Sequence, residues 1–151
     1  IHADPAPLIW SGLVLLFAAQ AWWASFGLNS REHWEFTDFI AILIQMGLLY
    51  MLSALILPDV PNDEPIDLAL HFERHRRSFF IFLIAMLASS IGKEAVLEHR
   101  LTAPLNLGFH LLLAAIAAAG IFVAGRKLQL VLALLATAGF LAYVVLLFAR
   151  L

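Results

Sequence analysis

The chain has 151 residues, 63% of them hydrophobic and 13% charged, with a net charge of −2. A soluble domain carries about 45–50% and about 25%. With a mean hydropathy of +0.92, this chain holds more apolar side chain than a water-soluble core of its size can bury, so lipid is the expected solvent. There is no basic field to suggest nucleic acid, and the absence of cysteine excludes disulfides, thiolate metal sites and thiol nucleophiles.

A helix needs about 20 apolar residues to cross about 30 Å of hydrocarbon, and the chain offers five such segments in order. The first, 7–28, is bracketed by Trp10 and by Trp22–Trp23 as an aromatic belt would be. It is preceded by His2 and Asp4 and by no Lys or Arg, and it is too long for a secretory signal. The second, 36–57, stops at Pro58, which cannot continue a helix.

The third is the hard one. Ser78–Gly92 is only 15 residues, or about 22 Å of helix. It becomes a full span, 78–97, by carrying Lys93 and Glu94 into the interfacial zone; a re-entrant segment is the alternative. The fourth, 104–124, has Thr102 as a cap and Pro104 in its first turn. The fifth, 128–149, follows after only Gly125, Arg126 and Lys127, so the last two spans form a tight antiparallel hairpin. The expected fold is an all-α polytopic transmembrane bundle, one domain over 1–151. The chain opens at Ile1 rather than Met, so either its N-terminus is processed or residues precede Ile1, and in the second case a sixth span upstream is expected.

Orientation follows from Lys and Arg near the span ends. The side with connections 58–77 and 125–127 has Arg74, Arg76, Arg77, Arg126 and Lys127; the other has Arg31, Lys93, Arg100 and Arg150. The Arg74–Arg77 cluster lies directly against a span, which puts its side in the cytoplasm and Leu151 in the periplasm.

Connection 58–77 begins acidic and proline-rich, "PDVPNDEP", and leads to a helix start near Asp63 or Glu64. From Ile66 it can run helically into the third span, with Asp67, His71 and His75 on one face at i, i+4 and i+8. One carboxylate and two imidazoles form a candidate metal set. A solvated juxtamembrane helix, acidic at its start and basic at its membrane end, explains the same residues. Arg74, Arg76 and Arg77 would also repel a divalent cation. The stretch is read as a boundary.

Polar residues at membrane depth are the better pointers to function. Gln20, Asp38, Lys93, Glu94, Asn106 and His110 all fall in the same outer third of their spans, and Gln45 lies nearer mid-span. Ser90 and Glu94 are one turn apart, as are Asn106 and His110. They predict either a pocket for a proton, an ion or a quinone-like head group, with Glu94 and His110 titrating, or snorkelling and interhelical packing. His110 is the one histidine well inside a span, which leaves no facing pair for haem. There is no phosphate-cradling glycine loop, nucleophile–base pair or HExxH motif, so no enzyme is predicted. No cofactor is implied, although a lipid, quinone or pigment would fit between helices.

The fourth span is rich in small residues. Ala114 with Ala118, Ala115 with Ala119, and Gly120 with Ala124 allow close helix approach, within the chain or onto another protein's transmembrane helix.

Several landmarks occur together: Trp22, Trp23 and Phe26; Trp34 to Phe39; Leu57, Pro58 and Asp59; and "HRRSFF" at 75–80. In this order, over residues 8–85, the chain resembles a loosely defined group of uncharacterised bacterial multi-span membrane proteins. The resemblance implies a bacterial inner membrane and one more helix upstream, and brings no catalytic residues. The expectation is an accessory or structural subunit of a larger membrane complex, with the bilayer and other transmembrane proteins as partners. A small transporter or ligand-binding protein using Glu94 and His110 is the alternative.

Overall fold

The computed structural model describes residues 4–58 and 67–149. They form five helices: α1 (Pro5–Phe26), α2 (Phe36–Ile56), α3 (Leu68–Glu98), α4 (Pro104–Phe122) and α5 (Arg126–Phe148). Each is long and apolar enough to cross a membrane. The polypeptide is an all-α helical bundle and an integral membrane protein.

Local chemistry sets the helix ends. Asp4 caps α1 by accepting from the Ala6 N–H at 3.1 Å, with Pro5 in the first turn. At α2 the Asp38 carboxylate reaches back to the Glu35 N–H at 3.0 Å, and the helix stops just ahead of Pro58. Asp67 caps α3, accepting from Ala69 and Leu70 N–H groups. That helix then runs unbroken for 31 residues. The juxtamembrane stretch and the third span are therefore one helix, and no re-entrant break occurs. The predicted start near Asp63 or Glu64 lies outside the described residues. Thr102 does not cap α4: Ala103 holds the cap position without a side-chain bond. Between α4 and α5 the chain turns at Gly125 with φ 120°, a conformation that needs glycine.

Each helix packs against its neighbour in sequence, α5 returns to α1, and α1 touches α3 across the ring. The two ends of the bundle interior differ. At the end where α1 and α3 begin, Trp10, Phe72, Phe79 and Phe80 meet edge to face with centroids 5.3–6.3 Å apart. At the other end the interior is polar. Outside, Leu15, Trp23, Tyr50, Val145 and Phe122, the last 84% exposed, form an apolar surface suited to lipid. Ser11, Ser25, Ser53 and Thr137 turn their hydroxyls back onto carbonyls one turn earlier, hiding them from that surface.

The α4 carboxyl end is finished by other helices. Buried Arg76 of α3 donates to the carbonyls of Gly120, Ile121 and Val123, and Gln129 of α5 donates to Val123 at 2.7 Å. Where the junction is buried, such side chains are the available partners for a terminal turn.

Candidate functional site

A cavity of about 240 Å³ lies among all five helices at the end where α1, α3 and α5 finish. Helical spacing builds it. On α3, Met86 and Leu87, Ser90, Glu94 and Leu97 follow one face; on α4, Asn106, His110 and Leu113 do the same. Met86, Leu87 and Leu113 are the deeper, apolar members and Ser90, Glu94, Asn106 and His110 the shallower, polar ones, with Leu97 closing the α3 face at the rim, so one continuous core face becomes a polar pocket near the membrane boundary. Gln20 of α1, Gln45 of α2 and Tyr143 of α5 complete the wall.

The polar groups are partly connected. Asn106 Nδ2 donates to Glu94 Oε2 at 2.8 Å, linking α4 to α3. The Tyr143 hydroxyl points at Asn106 Oδ1 from 3.4 Å, and its ring stacks on Phe109 at 4.4 Å and 14°. His110 Nδ1 lies 2.7 Å from the Asn106 carbonyl oxygen. A carbonyl only accepts, so Nδ1 carries the hydrogen, and in the neutral ring Nε2 is left as an acceptor.

Two features remain open. Gln45 is only 4% exposed and its Oε1 has no hydrogen-bond partner among the described residues. Lys93 and Glu94, both on the wall, make no ion pair among the described residues.

Five of the six residues singled out at this depth thus line one cavity: Gln20, Lys93, Glu94, Asn106 and His110. Asp38 does not. It is 2% exposed and receives Arg31 Nη2 at 2.9 Å, and Arg31 also donates to the Leu97 carbonyl at 2.8 Å. Asp38 therefore ties the α1–α2 loop to the start of α2 and, through Arg31, to the end of α3. Tyr143 was not among the residues that depth alone picked out, although it is the one phenol in a span whose other aromatic residues are Phe140 and Phe148.

The other candidates are spread differently. Asp67 is occupied as the α3 cap; His71 Nε2 meets the Leu55 carbonyl at 3.1 Å, and His75 Nδ1 the His71 carbonyl at 3.0 Å. Among the described residues no group of three His, Asp or Glu is placed to hold a metal ion. On α4, Gly120 is buried against Phe80 and Ala114 packs on the core. Ala118 and Ala119 are half-buried, and Ala115 and Ala124 face outward.

Compared with family models, curated proteins and solved structures, the chain matches none.

Proposed function

We propose that this integral membrane protein binds a small polar ligand in the cavity between its five helices. Gln45 carries the reading: a carboxamide 4% exposed, on the cavity wall, with an unpartnered oxygen. Other buried polar atoms among the described residues, Trp10 Nε1 and Gln129 Oε1 included, also lack a partner, but Gln45 alone of them lines the cavity, where a guest can supply the missing bond. Polar side chains from all five helices converge on the same space, which packing alone does not require. We place this end of the bundle outside the cytoplasm of a bacterial cell. Arg74, Arg77, Arg126 and Lys127 stand exposed at the opposite end, while Arg31 is spent on Asp38 and Lys93 is half-buried in the cavity wall.

An accessory-subunit role has less to support it, because Gly120, the smallest residue of the α4 face, is already covered by Phe80 of the same chain. The test is gentle extraction followed by native mass spectrometry of the wild type and of Ser90→Phe, which fills the cavity. A small bound mass present in the first and missing from the second is expected. Equal bound mass in both would remove the cavity as the site, and a stoichiometric protein partner would favour the subunit role.

A further inference from the structure

Resting on the cavity as the working site, we propose that its ligand is a small zwitterion, with an ammonium group for Glu94 and an anionic group for Lys93. The two residues are consecutive on α3, so their side chains leave the helix about 100° apart, and both reach the cavity wall. Neither is ion-paired among the described residues. Lys93 lies within electrostatic range of Glu94 and Glu98 but in direct contact with neither carboxylate, so the ammonium and the carboxylate both keep bonding capacity open to a guest.

The remaining wall adds no net charge of its own. Tyr143, Ser90 and the amides are neutral, and His110 spends its Nδ1–H on the Asn106 carbonyl. Glu98, exposed at the rim, is engaged by Arg100. The site therefore holds one positive and one negative group, and a ligand bearing a single charge would leave one of them unanswered. A ligand bearing both compensates the site completely.

The neutral groups suit the same guest. Glu94 Oε2 is occupied by Asn106, and a carboxylate has acceptor capacity beyond one bond. His110 Nε2 and Gln45 Oε1 add acceptors suited to an ammonium. Phe17 and the stacked Phe109–Tyr143 pair place aromatic rings beside it, which favours a cation.

The shared chemistry has two sources. A free amino acid-like solute has it, and so does the phosphoethanolamine headgroup of a phospholipid, which would lie at the level of this cavity near the span ends.

The experiment measures binding to the full chain in detergent. The zwitterions phosphoethanolamine and β-alanine are compared with ethanolamine and inorganic phosphate, each of which carries charge of one sign only. At least one zwitterion is expected to bind ten times more tightly than either single-sign probe. Lys93→Met should reduce phosphoethanolamine to the affinity of ethanolamine, and Glu94→Gln to that of phosphate. Added phosphatidylethanolamine that displaces the free zwitterion identifies the lipid as the source; failure to displace it identifies a soluble one.

A single-sign probe binding as well as a zwitterion overturns the proposal, as does a zwitterion preference unchanged in both variants. If no probe binds, the mass lost from Ser90→Phe decides: a co-extracted molecule with both charges upholds the proposal and one lacking either overturns it. Bound mass unaffected by Ser90→Phe would instead defeat the cavity reading beneath it.

Discussion

Arg76 on α3 donates to the Val123 carbonyl on α4 at 2.8 Å, so a guanidinium from one helix closes the end of another. The same nitrogen also meets the carbonyls of Gly120 and Ile121. Removing it strands acceptors at a buried helix junction. Arg76→Met is expected to cost about 1–3 kcal/mol, read as a lowered midpoint of thermal unfolding in detergent. Arg77→Met, one residue on and exposed, is the control. Equal midpoints for the two variants would show that the α4 terminus does not depend on Arg76.

Gly120 tests close packing at the same junction. A Cβ there would come within 2.7 Å of Phe80 Cδ2, and Phe80 is itself held by Trp10, Phe72 and Phe79. Gly120→Ala therefore overpacks a rigid aromatic cluster, at an expected cost of about 1–3 kcal/mol. Phe80→Leu in the same chain should recover part of that loss. Gly47→Ala, which meets nothing within 4 Å, should be tolerated. A stable Gly120→Ala protein with unchanged unfolding would mean the helices part easily here.

The five spans could be read from composition because lipid imposes length and apolarity on each helix, and Pro58 and Pro104 mark ends by their own stereochemistry. The depth of Gln20, Lys93, Glu94, Asn106 and His110 was also readable, since position within a span is a linear property. Which face each residue presents to which neighbour was not. Asp38 has the depth of the cavity group, yet it belongs to the loop because Arg31 stands beside it. Arg76 looked like part of an exposed basic cluster alongside Arg74 and Arg77. Its helical phase turns it inward onto α4, a contact 44 residues away in sequence. Such pairings depend on how α3 lies against its neighbours, and local periodicity carries no record of that.

The Arg31–Asp38 pair makes a prediction of its own. Its carboxylate side chain is 3% exposed and the guanidinium side chain 22%, so solvent screens the pair less than a surface bridge. A double-mutant cycle with Arg31→Met and Asp38→Asn should give a coupling energy of about 1–3 kcal/mol. A value near zero would mean that Arg31 is held by the Leu97 carbonyl alone. Because Asp38 stands outside the cavity, Asp38→Asn should leave the mass bound in the cavity unchanged.

The two bonds of Asn106 differ enough to be ranked in advance. The Glu94 contact, at 2.8 Å, is a charge-assisted bond of ordinary length. The Tyr143 contact, at 3.4 Å, lies beyond the usual range for a hydroxyl donor. Tyr143→Phe keeps the stacking on Phe109 and gives up the long Asn106 contact together with a side-chain contact to Gln20, so a loss of about 1 kcal/mol is expected. Asn106→Leu removes the donor from a half-buried carboxylate and should cost about 1–3 kcal/mol, with ligand retention weakened because Glu94 loses its orienting partner. Thermal unfolding ranks the two losses, and native mass spectrometry reads the bound ligand. If Tyr143→Phe proved the more damaging, the hydroxyl would have to serve something other than Asn106; Gln20, which it also meets, is the first partner to test, and the ligand the next.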